Sequence, residues 1–258
     1  MPPGPGPGGT LTSFKHGMSA LTDSLADQLG SRIRVSTPVK DISRDGSRYT
    51  LLLDNDRQDE CEHLILAAPA HAQAVMLQAL DPSLASLLRE IPYPALSVCC
   101  FGYQKQRVGQ VLDGFGFLIP SKEKRSVLGT IVDSNVFSGR APEGSILLRS
   151  MVGGARSPEL AMLPDEQLIS RVRSDLQDIL GLKAEPDFIR IFRHQRAIPQ
   201  YEVGHAARLE AIEEKLQQHP GLVLTGNAFK GVSLNDCVVN AWKTAQSLLP
   251  QAHNGAHT

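Results

Sequence analysis

A chain of 258 residues, 41% of them hydrophobic, is long enough for one large domain or two small ones and can bury a proper core. A formal net charge of −1, with no block of like charge, argues against a polybasic nucleic-acid surface and against a charged tail. The longest apolar runs, such as LILAAPA, are far too short to span a bilayer, and the opening MPPGPGPGGT lacks the basic start and apolar stretch of a secretory signal.

Taken in chain order, the opening Pro/Gly stretch places Gly4, Gly6 and Gly9 in a G-x-G-x-x-G pattern. No strand precedes it, and Pro5 and Pro7 suit an extended linker, so it is not a nucleotide fingerprint. Leu21, Leu25 and Leu29 recur at helical spacing from Ser19, with Gly30 as the stop. RIRVSTPVKDI then reads as a strand, RDG as a turn and YTLLL as the return strand. HLILAAP shows no alternation, which predicts a strand buried on both faces. Residues 70–90 are predicted helical, broken around Pro82.

A β-rich stretch follows in ALSVCCFGY, GFGFLIP, VLGTIVDS and SILLRSMVGG, which suggests a mostly antiparallel sheet. PDEQLISRVRSDLQDILGL is an amphipathic helix to pack on that sheet. PDFIRIFRH is a further strand and HAARLEAIEEKLQQH a surface helix. The last elements are the strand LVL and the helix of SLNDCVVNAWKTAQSLL. This order predicts two discontinuous units: an α/β layer from the first strands and the last strand–helix pair, with a sheet-and-helix unit inserted at about 90–203.

Four cysteines, Cys61, Cys99, Cys100 and Cys237, match neither a metal knuckle nor a C-x-x-C pair. No metal site is expected, and buried reduced thiols at Cys99 and Cys100 favour a reducing, cytosolic compartment. In LTGNAFKGVSLND, Gly226 and Gly231 let another molecule approach bare backbone, and Ser233 is a good N-cap. The helix start would suit an anion or a ring edge, or Ser233 simply caps the helix while Asn235 and Asp236 decorate its first turn.

L-x-G-N-x-F-x-G-V-S-L-N-D-C-V resembles the C-terminal flavin-contacting segment of oxygen-dependent protoporphyrinogen oxidases, in the flavin amine-oxidase superfamily. GTLTSFKHGMSALTDSLA resembles another segment of that family, with His16 where a glycine is usual. TPVKDI, HLILAAPA, GFGFLIPSKE, VLGTIVDS, LLRSMVGG and IPQYEVGH continue the resemblance in register, from about Gly9 to Pro250.

The resemblance implies an α/β (mixed α+β) chain. A partial FAD-binding Rossmann-like domain with a β-meander would be interrupted by a mostly antiparallel sheet-plus-helix substrate domain. The expected divisions are a linker at 1–9, FAD-binding segments at 10–89 and 204–250, a substrate domain at 90–203 and a disordered tail at 251–258. It implies FAD contacts at Val39, at Ala67, Ala68 and Pro69, and at Gly226, Gly231, Val232, Ser233 and Leu234. Gly116, Leu118 and Met151, with Phe115 as a neighbour, would line a porphyrinogen pocket.

The implied reaction oxidises protoporphyrinogen IX to protoporphyrin IX through FAD, with dioxygen as acceptor, and needs no catalytic side chain of its own. Another flavin amine oxidase or desaturase, and a non-catalytic porphyrin-binding half, are the alternative readings. Because the family's opening βαβ unit precedes the resemblance, the chain is expected to be a C-terminal portion that binds FAD poorly alone and needs an N-terminal half in trans. A homodimer and peripheral contact with the inner face of the cell membrane are further implications of the resemblance.

Overall fold

The computed structural model describes residues 11–108 and 113–248; the expected linker at 1–9 and tail at 251–258 lie outside the described residues. In chain order the elements are α1 (Ser19–Leu29), β1 (Val39–Asp45), β2 (Arg48–Leu53), β3 (Gln58–Cys61), β4 (Leu64–Leu66), α2 (Ala70–Met76) and α3 (Pro82–Arg89). Next come β5 (Leu96–Gln104), α4 (Lys105–Val108), β6 (Gly116–Leu118), β7 (Val127–Val132), α5 (Asp133–Val136) and β8 (Ser145–Gly153). The chain continues with α6 (Asp165–Leu180), β9 (Phe188–His194), α7 (His205–Leu216), β10 (Leu222–Leu224) and α8 (Leu234–Leu248). Two compact units result, one of Met1–Ile33 with Pro94–Ala197, the other of Arg34–Tyr93 with Ile198–Thr258.

The first unit is built on a five-stranded antiparallel sheet in the order β6-β7-β8-β5-β9. Alternation along β5 buries Ser97, Cys99, Phe101 and Tyr103 on one face and leaves Leu96, Val98, Cys100 and Gly102 half-buried on the other. The buried face receives Leu168, Val172 and Leu176 of α6, whose first turn carries Asp165 and Glu166 and whose end is closed by Gly181 at φ 68°.

Polar groups caught in this core are paired. Ser97 Oγ donates to Ala161 O (2.6 Å), Thr130 and Ser150 share a hydroxyl bond (2.8 Å), and the Asp175 carboxylate accepts from Val127 N (2.9 Å). Burial pushes the Cys99 thiol up to about 12, so it is a neutral packing group, and all four cysteines are free. Residues of the α1 region, expected with the α/β segment, group with this unit instead. The Arg140 guanidinium ties them there, donating to Ser13 Oγ (2.7 Å) and Phe14 O (3.1 Å).

The second unit holds the expected meander, β1-β2-β3, turning at Gly46 (φ 57°). Its first strand starts only at Val39, because Ser36 takes a positive φ and Pro38 follows; the strand expected from Arg32 is therefore shorter. The polar run QDEC gives a third strand that the sequence did not announce. β4 pairs in parallel with β10, Leu64 with Leu222 and Leu66 with Leu224.

Burial of β4 on both faces does not hold: Leu64 and Leu66 join the core, but Ile65 is 44% exposed. The helices that pack into this core do so on the Leu64 and Leu66 side, through Ala70, Ala74, Leu84, Leu88 and Ile212. Pro82 opens α3 rather than breaking a helix, since Asp81 caps it by accepting from Ser83 N and Leu84 N (2.9 Å each). The other Asp81 oxygen meets His219 Nε2 at 3.0 Å. Helix α8 buries no residue, and Leu234, Val238 and Trp242 stand exposed along it.

Candidate functional site

The parallel pair β4–β10 brings two chain crossings side by side at its carboxyl end. Beyond β4 the chain runs through Ala67, Ala68 and Pro69 into α2; beyond β10 it runs through Thr225 and Gly226 towards α8. This end of a parallel pair, facing helix starts, is where open α/β sheets take their ligands. Gly226 sits at φ 124°, and a Cβ there would lie 3.6 Å from Ala67 O and 3.9 Å from Ala68 O. The two backbones therefore run alongside each other with no side chain between them. Val39 packs against the same core, the cluster that includes Leu66, Ala70 and Ala228.

Gln73, in α2, holds the two crossings together. It is fully buried, and its Nε2 lies within donor distance of Leu66 O (3.1 Å), Ala68 O (2.6 Å) and Thr225 O (3.1 Å). Sequence reasoning missed it, although a signal was present: Ala70, Gln73, Ala74 and Leu77 share one helical face, so a lone amide stands on an apolar stripe. Tyr201 fixes the next residues, its hydroxyl donating to Asn227 O at 2.6 Å while its ring stacks on His205 at 4.2 Å. Burial, and then the Arg208 charge, push the His205 imidazole below its ordinary value, so it is no cation at neutral pH.

At the start of α8, Ser233 and Asp236 cap each other. Ser233 Oγ donates to Asp236 Oδ2 (2.6 Å), Asp236 N donates back to Ser233 Oγ (3.1 Å), and Ser233 N donates to Asp236 Oδ2 (3.2 Å). The Ser233 hydroxyl bond, with its backbone N–H, holds the Asp236 carboxyl below the usual carboxylate range. Gly231, at φ 82°, is required because a Cβ there would run into the Asp236 side chain.

These capping bonds narrow what the helix start can receive. An ionised Asp236 opposes a phosphate, whereas the edge of a neutral ring or a hydroxylated chain meets no such charge. Val232, Ser233 and Leu234 are exposed around it. Between α7, β10 and α8 lies a groove of about 220 Å³ lined by Leu209, Ile212, Val223, Leu224 and Phe229, with Lys230 and Lys243 at its rim. The strand ends thus fit a flavin dinucleotide through backbone and small apolar side chains, the ring edge being better matched than the phosphates at α8.

In the sheet-bearing unit the substrate-lining candidates fall into register. Leu118 pairs with Gly129, Gly129 with Met151, Met151 with Val98 and Val98 with Phe192, across all five strands. Directly paired residues share a face, and this row lies on the side away from α6. Leu118 is 82% exposed, and its Cδ2 occupies the space that a Cβ on Gly129 would take. Gly116 lies on the same face as Leu118, two residues along β6. Phe115 precedes the strand and is outside this row; its carbonyl accepts from Val132 N at 2.9 Å.

Three arginines near this sheet already have partners. Arg149 makes a two-pronged bond to Asp133 (2.9 and 2.8 Å), Arg156 donates to Ile119 O (3.2 Å), and Arg193 pairs with Asp165 (2.6 Å) and Leu163 O (2.8 Å). Among the described residues no group of three or more His, Cys, Asp or Glu side chains could hold a metal ion.

Comparison with known proteins adds the following. The sequence matches the family described as flavin containing amine oxidoreductase over residues 5–249. Protoporphyrinogen oxidase 2 of Arabidopsis thaliana is 31% identical over 252 residues, covering 92% of this chain and 50% of its own length. Coproporphyrinogen III oxidase of Bacillus subtilis is 30% identical over 232 residues, covering 89% and 49%. A solved structure from Exiguobacterium sp. 255-15 superposes with a TM-score of 0.80 at 30% identity, over 91% of this chain and 51% of that one. A putrescine oxidase variant superposes with a TM-score of 0.72 at 16% identity, which shows the fold alone. The chain spans about half the length of the curated relatives it matches.

Proposed function

On the premise that this chain belongs to the flavin-containing amine oxidoreductase family, whose cofactor is FAD, we propose that it forms part of a porphyrinogen oxidase. The reaction is the oxidation of protoporphyrinogen IX to protoporphyrin IX with dioxygen as acceptor, in the porphyrin branch that leads to heme. The observation that carries this reading is the apolar row Leu118–Gly129–Met151–Val98–Phe192 on the sheet face away from α6. Five strands at about 4.8 Å spacing make a strip about 19 Å wide, the scale of a tetrapyrrole and far more than a small amine needs. Glycine at 129 leaves room for the Leu118 side chain, and thioether and aliphatic groups grip a ring face without charge.

In this reading the backbone of Ala67, Ala68, Pro69, Gly226 and Gly231 lies against the cofactor, with Val39, Val232, Ser233 and Leu234 beside it. Gly116, Leu118 and Met151, with Phe115 at the edge, orient the macrocycle and keep water from its ring. Bound FAD would supply the redox chemistry, taking hydride equivalents from the porphyrinogen and passing them to dioxygen. No side chain of this chain is assigned a proton-transfer role.

A second substrate has its own support, because relatives named coproporphyrinogen III oxidase, from Bacillus subtilis and Propionibacterium freudenreichii, are 30% and 31% identical. Partnership with an N-terminal segment, in cis or in trans, a homodimer, and peripheral attachment to the cytoplasmic face of a membrane belong to the same proposal. Among the described residues no helix is long and apolar enough to cross a membrane.

The test is to supply FAD, dioxygen and either porphyrinogen to this chain, and to the chain joined to a dinucleotide-binding segment from a relative. Porphyrin fluorescence and peroxide are then followed, with putrescine as the competing substrate. Porphyrin formation supports the proposal; turnover of the amine with neither porphyrinogen oxidised would sink it.

A further inference from the structure

We infer that Arg190 binds a carboxylate of the tetrapyrrole at the edge of the sheet face away from α6, an assignment that rests on the porphyrinogen reading above. Two residues along each strand from the apolar row lies a second row on the same face: Ile131 beside Arg149, Arg149 beside Cys100, and Cys100 beside Arg190. The two guanidinium-bearing strands are two spacings apart, about 10 Å. Arg149 is neutralised by its fork with Asp133. Between the two arginines, burial pushes the Cys100 thiol up, against the pull of Arg149, so it supplies no competing anion.

Arg190 has no carboxylate within ion-pair distance among the described residues. It is an exposed residue, and its guanidinium lies over the Phe192 ring, 5.2 Å from the centroid. That contact orients the planar fork while leaving its donors open. The row therefore carries one uncompensated positive charge, at the end of a strip whose other contacts are apolar. A porphyrinogen is the matching object, with an apolar ring and carboxylates on short flexible arms, and a carboxylate takes a guanidinium through two parallel bonds. Strand β9 shows the pattern in its sequence, since Phe188, Arg190 and Phe192 alternate onto this face while Ile191 turns to the core.

The test titrates the 258-residue chain with protoporphyrin IX and with its dimethyl ester, following porphyrin fluorescence, for the native protein, Arg190→Gln and Arg190→Lys. The diacid should bind about tenfold more weakly to Arg190→Gln, with part of the loss restored in Arg190→Lys, while the ester changes by less than about twofold. Unchanged diacid binding in Arg190→Gln, or equal weakening of diacid and ester, overturns the role of Arg190 and leaves the porphyrin reading standing. Absence of binding of both ligands to the native chain overturns the two together.

Discussion

The two sheets of this protein solve the same problem differently. The antiparallel sheet has central strands of nine residues, β5 and β8, and packs one face of them against α6, leaving the other face half-buried to exposed. The parallel pair β4–β10 has three residues per strand, an exposed Ile65 and a following helix, α8, that buries nothing. Long-range ladders and a packed helix give the first sheet its own stability. The second depends on a meander, on α2, α3 and α7, and on a single amide that spans both strand ends. The difference separates a platform that offers a surface from a junction that offers bare backbone.

Truncating the platform's core should have the largest effect. Phe101→Ala removes a fully buried ring packed among β-strand and α6 side chains. It should cost about 3–5 kcal/mol, read as a lower urea midpoint for that unit's transition. At the junction, Gln73→Leu keeps the volume but removes the amide shared by the Leu66, Ala68 and Thr225 carbonyls, of which Leu66 O still accepts from Thr225 N, at a cost of about 1–3 kcal/mol in the same measurement. An unchanged midpoint would mean that the junction does not need its amide.

A smaller loss, of about 1 kcal/mol, is expected for Asp81→Ala, which removes the cap of α3. Burial disfavours the Asp81 anion, but the His219 hydrogen bond and the Leu84 and Ser83 N–H groups together hold its carboxyl below the ordinary value. A carboxyl lowered on folding contributes stability that is fully present above its unfolded value, near 4, and is lost as the pH falls through the folded value. The native chain should therefore lose more stability than Asp81→Ala between about pH 5 and pH 3, in thermal melts across that range. The smallest effect is expected for Trp242→Ala, within about 0.5 kcal/mol, because Trp242 is 63% exposed on a helix with no buried residue. A large loss there would show α8 to be packed in solution and erase the contrast drawn above.

Most elements were legible because period and punctuation agreed. The alternation in LSVCCFGY and SILLRSMVG, the 3.6-residue repeat of α6 closed by Gly181, and the turn at Gly46 each have one local solution. The failures were equally local in cause. QDEC carried no strand signal because β3 is polar, and its strand state comes from pairing with β2. LIL looked buried on both faces because apolar content alone does not count covering layers.

The candidate site was legible as segments: the glycines of LTGNAFKG and the resemblance they carry. Its fastening was not. Gln73 acts on residues 66, 68 and 225, and no linear pattern joins positions that far apart. Nor does the sequence single out Arg190 among its neighbours, because only register and side-chain geometry show that Arg149 and Arg193 are paired with carboxylates and that Arg156 donates to a backbone carbonyl.

By itself, the sequence determined the periodicities, the turn glycines, the cap at Ser233 and the family, since these depend on neighbours within a turn or a strand. The tertiary structure alone decided which face of each sheet is covered, which arginines are neutralised and what binds the two strand ends together. Those are relations between residues distant in the chain, set by register and packing.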